Sequence, residues 1–277
     1  MGTDREDARG GLRLAVVPER PGPHDALLGR DTAAPAGGWV AWRGREVKHH
    51  RGIRMANARE RWVTFDCYGT LIDWRQGIGA TFARLWPMAE SSGLLALYHE
   101  VEPTFETEAG LPYREVLKRS LCAVAERAGL PLAPEDESAL ADSLPSWPAF
   151  PEVPGALRAL REQGWRLAIL SNTDPDLLAG SMRQIGVPMD LALTAAEANS
   201  YKPAHGHWNA FFARVGVDRA RHVHVAASVF HDIAPAASLG LTAVWINRLG
   251  ERSDLPRAAE LRDLSELPAT LTRLLRP

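Results

Sequence analysis

The sequence predicts an α/β fold with a parallel sheet and a helical cap that follows the first strand. Two observations lead to this prediction. Short apolar runs alternate with amphipathic helical stretches from about residue 61 to residue 246, and such alternation is typical of parallel strands joined by right-handed crossovers. A long stretch with helical periodicity, roughly residues 75–150, separates the first two of these strands.

Residues 1–54 show neither helical nor strand periodicity, and we predict that they form a disordered extension. Their apolar piece, residues 12–17, is too short for a secretory signal and is followed by Pro18. Met55 lies just before the first strand, so a start of translation at that residue is an alternative. A basic arm for an anionic partner is less favoured, because seven acidic residues are interspersed in the segment.

The first strand is predicted from the apolar run that ends at Asp66, with a Gly-Thr turn at residues 69–70. The helical periodicity that follows predicts a cap domain, residues 75–150. The core domain then comprises residues 55–74 and 151–277. A cap in this place would close over the strand ends and exclude water from them.

After the cap, apolar runs and helical stretches alternate at regular intervals, with Pro and Gly at their boundaries. This pattern predicts four more strands and three helices. The strands are expected near residues 166–170, 190–194, 222–227 and 241–246, and the helices near residues 175–185, 206–215 and 233–239.

Polar groups follow the strand-like runs in chain order: Asp66 with Thr70, then Ser171-Asn172, then Lys202, and finally Asp232. Because the carboxyl ends of parallel strands meet at one edge of a sheet, we expect these groups to form a site there. Helix capping is the alternative interpretation for Asp66, whereas for Ser171-Asn172 a capping role and a site role can coexist.

Lysine usage singles out Lys202. Of the 32 basic residues, only Lys48, Lys118 and Lys202 are Lys. The compact ammonium of a lysine fits beside a carboxylate in a crowded site better than a guanidinium does. We therefore predict a site role for Lys202, and a solvated helix face for Lys118.

The order Asp, Ser-Asn, Lys, Asp resembles the four motifs of the haloacid dehalogenase (HAD) superfamily of aspartate-nucleophile hydrolases, over about residues 61–250. The resemblance implies the Rossmann-like core of that family, with Asp66 as the nucleophile of a covalent intermediate that water hydrolyses. It implies that Lys202 stabilises the Asp66 carboxylate and that Asp232 pairs with Lys202 or positions the water. The residues implied to orient nucleophile and substrate are Thr70, Ser171 and Asn172.

Tyr68 stands two positions after Asp66, where phosphatases of the superfamily have an Asp that protonates the leaving oxygen. A halide leaves as a stable anion and needs no general acid. At the last motif Ala227 replaces an acidic residue and only Asp232 remains, so the resemblance implies no metal ion and no other cofactor. It is closest to the 2-haloacid dehalogenase (type II) branch, and implies hydrolysis of the carbon–halogen bond of a small 2-haloalkanoic acid.

The chain also departs from that branch. Residues 97–103 lack the cap-helix Arg that binds the substrate carboxylate and the leaving halide, so Arg114 or Arg119 would have to replace it. Trp208 stands where the branch has Tyr, and Val229 where it has Asn. These changes predict an altered substrate pocket. The residues expected to contact the substrate are Tyr68, Tyr201 and Trp208.

Two further groups of residues allow more than one interpretation. His205 and His207 could ligate a metal ion with His231 or Asp232, but a solvent-facing or capping role is favoured for two histidines at a helix start. Three tryptophans could line an apolar pocket or pack in the core. They are Trp74, Trp147 and Trp208.

Composition excludes several classes of protein. A net charge of −2 argues against a nucleic-acid partner, and no apolar run approaches the roughly 18 residues that span a bilayer. Two cysteines are too few for a disulfide framework, which favours a cytoplasmic protein. The expected partner is a small organic acid substrate, and a homodimer is one open alternative for the oligomeric state. A Mg²⁺-dependent phosphatase of a small phosphomonoester and a binding protein without turnover remain the alternative functions.

Overall fold

A parallel sheet organises the part of the chain that this computed structural model describes, residues 60–106 and 111–275. Its strands are β1 (Arg61–Phe65), β2 (Trp165–Ser171), β3 (Leu191–Thr194), β4 (His222–Ala226), β5 (Ala243–Ile246) and β6 (Ala259–Leu261). They lie in the order β3-β2-β1-β4-β5-β6, and every neighbouring pair is parallel. The α/β prediction is confirmed. The predicted extension, residues 1–54, lies outside the described residues.

Helices connect the strands. Between β1 and β2 the chain forms α1 (Trp74–Leu85), α2 (Ser91–Glu106), α3 (Tyr113–Ala128) and α4 (Ala139–Ser143). The later helices are α5 (Val153–Glu162), α6 (Pro175–Ile185), α7 (Ala195–Ala198), α8 (Gly206–Val215), α9 (Ala234–Ser238) and α10 (Leu267–Leu274). Within the described residues, none of these helices is long and apolar enough to cross a membrane.

Side-chain alternation along the strands divides the hydrophobic core into two clusters on opposite faces of the sheet. From β1, Val63 and Phe65 belong to one cluster and Trp62 to the other. The first cluster continues into α1, α3 and α5, whereas α8 and α9 cover the second. Because both faces are buried, the strands read as apolar runs with few interruptions.

The position of β1 determines where a ligand can bind. β1 lies between β2 and β4, and the chain proceeds from it toward opposite edges of the sheet. In open α/β sheets this reversal of strand order creates a crevice at the carboxyl ends of the strands. Asp66 follows β1 directly and therefore lies at this crevice.

The strands predicted near residues 166–170, 190–194, 222–227 and 241–246 are all observed, and so are the helices near 175–185 and 206–215. The helix predicted near 233–239 begins earlier, as a π-helical turn over Val229–Ile233 that leads into α9. The sequence pattern did not predict α5, α10 or β6, of which β6 is a partly exposed edge strand of three residues. The described residues belong to one unit, and the division into a core domain and a cap domain stays a prediction.

Candidate active site

The loop after β1 holds Asp66 at the end of the strand. The Asp66 N–H donates to the Val225 carbonyl of β4 at 3.1 Å, so the sheet fixes its backbone. The chain then turns at Gly69, whose φ of +87° favours glycine, and the Gly69 N–H donates to the Ile72 carbonyl at 2.8 Å. Helix α1 is capped by Asp73. The capping alternative for Asp66 is therefore wrong.

Lys202 joins two carboxylates at the strand ends. Its Nζ donates to Oδ1 of Asp66 and to Oδ1 of Asp232, each at 2.8 Å. All three side chains are buried: Lys202 is 3% exposed, Asp66 8% and Asp232 0%. Asp232 reaches Lys202 because it lies in the π-helical turn after β4, a type of turn that often occurs at functional sites.

Burial and charge act in opposite directions on these three groups. Burial by itself would lower the pKa of Lys202, but the carboxylates of Asp232 and Asp66 raise it well above its ordinary value. Burial favours the neutral form of Asp232, yet Lys202 and His224 hold the pKa of Asp232 well below its usual range. For Asp66, burial outweighs Lys202 and raises the pKa above 3.8. Of the two carboxyl groups, Asp66 is thus the more basic one.

Thr70 orients the second oxygen of Asp66. Its Oγ1 donates to Asp66 Oδ2 at 2.9 Å and accepts from the Ala227 N–H at 2.9 Å. Both oxygens of Asp66 therefore have a donor. We call Asp66, Thr70, Lys202 and Asp232 the strand-end cluster.

Asn172 holds the backbone of Lys202. Its Oδ1 accepts from the Lys202 N–H at 2.7 Å, and its Nδ2 donates to the Lys202 carbonyl at 3.1 Å. Ser171 Oγ accepts only a long bond of 3.4 Å, from the Thr173 N–H. Helix α6 follows Asp174 and shows no side-chain cap. Ser171 and Asn172 therefore do not cap α6, so the predicted capping role is wrong. Both residues line the site.

A buried chain of hydrogen bonds, which sequence reasoning missed, continues from Asp232 into the core. Because a carboxylate only accepts, His224 Nε2 donates to Asp232 Oδ1, at 3.0 Å. His224 Nδ1 then accepts from Thr64 Oγ1 at 2.8 Å, and Thr64 Oγ1 accepts from His222 Nε2 at 2.8 Å. Burial lowers the pKa of His222 to about 3, so this ring is neutral. The only sequence signal was the His-x-His spacing in β4.

His207 is a second residue whose role was missed. It is fully buried, and its Nε2 lies 3.0 Å from the carbonyl oxygen of Ser171. Burial lowers its pKa to about 4, so a neutral ring donates this bond. The favoured solvent-facing role is wrong for His207, because the first turn of α8 packs against the end of β2, whereas His205 is exposed.

A cavity of about 150 Å³ opens above the strand-end cluster. A cavity of this size holds a molecule of roughly benzene's size. Tyr68 lines it, and its hydroxyl is hydrogen-bonded to Ser181 Oγ at 3.0 Å. Its ring stacks on Tyr113 and meets the edge of Trp147. The lining residues outside the strand ends include Tyr68, Trp74, Ile78, Tyr98, His99, Glu102, Glu106, Tyr113 and Trp147.

Two glutamates of α2 face this cavity. Glu102 Oε1 accepts from the Tyr113 hydroxyl at 2.9 Å, and Glu106 Oε2 lies 2.9 Å from His231 Nε2. Burial, together with the charge of Glu106, raises the pKa of Glu102 to about 8. Burial by itself would lower the pKa of His231, but the carboxylate of Glu106 raises it above its ordinary value. We call Tyr98, Glu102, Glu106 and Tyr113 the helical cover.

Several predicted substrate contacts lie elsewhere in the described structure. Trp208 is fully buried in the core cluster under α8, where its ring meets His224, so the prediction that it lines the pocket is wrong. The Tyr201 hydroxyl donates to the Leu111 carbonyl at 2.6 Å, outside the cavity lining. Arg114 pairs with Asp174 and Asp176, and Arg119 with Glu115. Neither arginine lines the cavity.

The geometry of the histidines does not favour the metal interpretation. In the described stretches of the chain, no group of three or more His, Cys, Asp or Glu side chains is arranged to hold a metal ion. His205 Nε2 is hydrogen-bonded to Ser238 Oγ at 3.0 Å, and His207 is bonded to the backbone of β2. The two histidines therefore do not converge on Asp232.

Comparisons with known proteins agree with this geometry. A family model described as haloacid dehalogenase-like hydrolase matches residues 60–240. (S)-2-Haloacid dehalogenase 1 of Pseudomonas sp. (strain CBS-3) is 29% identical over 222 residues, which cover 77% of this chain and 97% of that protein. Phosphoserine phosphatase of Thermus thermophilus is 30% identical over 204 residues, which cover 70% of this chain and 76% of that protein.

Solved structures give the same picture. A crystal structure of an L-2-haloacid dehalogenase is similar to this structure with a TM-score of 0.70 and 29% sequence identity. The similarity covers 77% of this chain and 99% of that chain.

Proposed function

The chain belongs to the haloacid dehalogenase-like hydrolases, and from this premise we propose that it hydrolyses the carbon–halogen bond of a small organic halide, with Asp66 as the nucleophile. One observation carries the proposal: a buried carboxylate, bonded to Lys202 and Thr70, faces a small cavity that has Tyr68 where a phosphatase needs an acid. The 2-haloacids named for the relatives are the first substrates to test.

In the first step, an oxygen of Asp66 attacks the carbon that bears the halogen. A carbon–oxygen bond forms, the carbon–halogen bond breaks, and the halide leaves with the bonding electron pair. Lys202 favours the ionised form of Asp66 against the effect of burial, and Thr70 fixes the direction of the second oxygen. The product of this step is an ester between Asp66 and the substrate.

In the second step, water attacks the carbonyl carbon of that ester. Asp232 lines the cavity, and its buried Oδ2 has no hydrogen-bond partner among the described residues. We assign to it the orientation of the water molecule, since the strongly lowered pKa of Asp232 makes this group a weak base. The step releases an alcohol and a proton and restores the Asp66 carboxylate.

The residues around Tyr68 favour displacement at carbon over phosphoryl transfer. Burial raises the pKa of Tyr68 well above its ordinary value, so the hydroxyl is a poor acid for an alkoxide leaving group. Tyr68, Tyr113 and Trp147 pack together and exclude bulk water from one side of the cavity. In this proposal the predicted cap, residues 75–150, contributes most of these walls.

The test is halide release from 2-haloacids, haloacetate and 2-haloamides by the wild type and by Asp66→Asn, in EDTA and in Mg²⁺. We expect release in EDTA that falls at least about a thousandfold in Asp66→Asn. In a single turnover in ¹⁸O-labelled water, the label should enter the Asp66 carboxylate, because water attacks its carbon. Label in the alcohol instead would contradict an aspartyl ester.

A phosphomonoesterase is the second candidate, and the phosphoserine phosphatase relative is the observation that favours it. Hydrolysis of a phosphomonoester that requires Mg²⁺, without halide release from any substrate, would establish it. If halides and phosphates are both inert while a small ligand raises the melting temperature, the chain is a binding protein with this fold.

A further inference from the structure

The residues that face the cavity carry an unusual balance of charge. Four carboxyl groups line it, from Asp66, Asp232, Glu102 and Glu106, but only one lysine and no arginine of the described residues do so. Lys202 is bonded to two of these carboxylates at once. The cavity thus offers no unengaged lysine or arginine to a carboxylate substrate.

The two glutamates belong to one face of α2. Residues 98, 102 and 106 are spaced four apart, so their side chains lie one above another along the helix. Tyr113 and His231, from other elements, contact Glu102 and Glu106 and hold both carboxyl groups at the cavity. Glu102 has no Lys or Arg partner in the described part of the chain.

Burial is the main cause that raises the pKa of Glu102 to about 8, the charge of Glu106 adds to it, and Tyr113 and His231 offset only part of the effect. Once ionised, Glu102 and Glu106 would place like charges beside a substrate carboxylate in a region of low dielectric, which opposes binding. A group with N–H donors would instead pair with the carboxyl oxygens. The imidazole of His231 provides little compensation for an anion, because Glu106 is already 2.9 Å from it.

We infer that the group beside the reacting carbon of the substrate is a nitrogen hydrogen-bond donor, a carboxamide or an ammonium group, which Glu102 and Glu106 bind in place of a carboxylate. The inference rests on the proposed function, since it places this group in the same cavity as Asp66. It makes Glu102 and Glu106 the residues that determine substrate specificity. The size of the cavity limits the substrate to roughly six non-hydrogen atoms.

The first experiment compares chloride release from 2-chloropropionamide and 2-chloropropionate, which have nearly the same shape and differ in charge. We expect kcat/KM to be at least about tenfold higher for the amide. Assayed at about pH 9, where Glu102 is ionised, Glu102→Gln and Glu106→Gln should each lower the ratio of amide to acid at least about fivefold, because a negative charge is removed. Glu100→Gln, on an exposed position of α2, is the matched control and should leave the ratio unchanged.

A wild type that prefers the acid, or a ratio that neither glutamine variant changes, would overturn the inference. A second measurement separates this failure from failure of the proposed function. If neither compound releases chloride, titration calorimetry measures the binding of three unreactive compounds, propylammonium, propionamide and propionate. Binding of the nitrogen compounds that weakens in Glu102→Gln supports the inference, whereas binding of propionate alone, or of none of the three, contradicts it.

Discussion

The strand-end cluster and the helical cover face the same cavity but balance their charges differently. In the cluster, Lys202 lies between Asp66 and Asp232, and Thr70 completes the bonding of Asp66. In the cover, the Tyr113 hydroxyl is the one hydrogen-bond partner of Glu102 among the described residues. The cluster is therefore organised before a substrate binds, as expected of groups that perform the reaction. The cover leaves carboxyl oxygens available, as expected of groups that select a substrate.

The largest expected effect concerns the cluster. Lys202→Met leaves the buried carboxylates of Asp66 and Asp232 without their counter-charge, so we expect a loss of at least about 3 kcal/mol in the free energy of unfolding. Halide release should also disappear. Urea unfolding measures the first and ion chromatography the second. Lys118→Met is the matched control, because that lysine lies at the surface and pairs with Glu137. A similar loss of stability in the control would show that charge burial in the cluster is unimportant.

The next effect concerns the wall of the cavity. A Cβ at Gly77 would lie 2.2 Å from Trp147 Cγ, so Gly77→Ala must displace the tryptophan, at a cost of about 2 to 3 kcal/mol. Since Trp147 lines the cavity, KM should rise more than kcat falls. Gly155→Ala in α5 meets no atom within 4 Å and serves as the control, with a gain of about 0.5 kcal/mol. Equal stabilities of the two variants would contradict the packing argument.

The third effect concerns the pH dependence of stability. The pKa of Glu102 is about 8 in the folded protein, against an ordinary value of 4.5. Between these values the folded state binds a proton that the unfolded state has lost, so the contribution of Glu102 to stability decreases as pH rises. Glu106, His231 and Tyr113 surround this carboxyl group and remain in the variant.

Glu102→Gln removes that titration. Its unfolding free energy relative to wild type should therefore increase by about 1 to 2 kcal/mol between about pH 6 and pH 7. Denaturant unfolding across this range measures the difference. Glu100→Gln, at an exposed position of the same helix, should show no such trend. A difference that does not vary with pH would mean that Glu102 is charged throughout the range.

The smallest effect concerns the buried chain beneath the cluster. Thr64→Val leaves His222 Nε2 and His224 Nδ1 without their partner, which should cost about 1 kcal/mol. Activity should fall less than in Lys202→Met, because His224 acts on Lys202 only through Asp232. Thr272→Val, at an exposed position of α10, is the control. No change in stability at Thr64 would show that the two histidines find other partners.

Most of the strand-end cluster could be predicted because its residues follow apolar strand runs, whose carboxyl ends meet in a parallel sheet. Asp66, Lys202 and Asp232 were placed together in this way, although their catalytic roles stay a proposal. Trp208 shows where the approach fails. Its position shortly after Lys202 in the chain suggested that it lines the substrate pocket. The orientation of α8 instead turns the ring into the core cluster that α8 and α9 cover.

Alternation by itself does not reveal that both faces of β4 are buried. His222 and His224 alternate with apolar residues, and polar side chains at every second position usually mark a solvated face. Here α8 covers that face, with Trp208 against His224 and Phe211 against His222. The register with β1 places Thr64 opposite His224. The Thr64 hydroxyl is hydrogen-bonded to both histidines, and these bonds offset the cost of burying the two rings.

The sequence by itself determined the α/β class, the order of most strands and helices and the residues at the strand ends, because these depend on local periodicity and on a general rule for parallel sheets. The tertiary structure alone decided which face of α2 meets the cavity, and thus that Glu102 and Glu106 line it. A pair of glutamates four residues apart reads as a solvated helix face in any sequence. Only the packing of α2 against α1 and α3 determines whether that face meets water or a substrate.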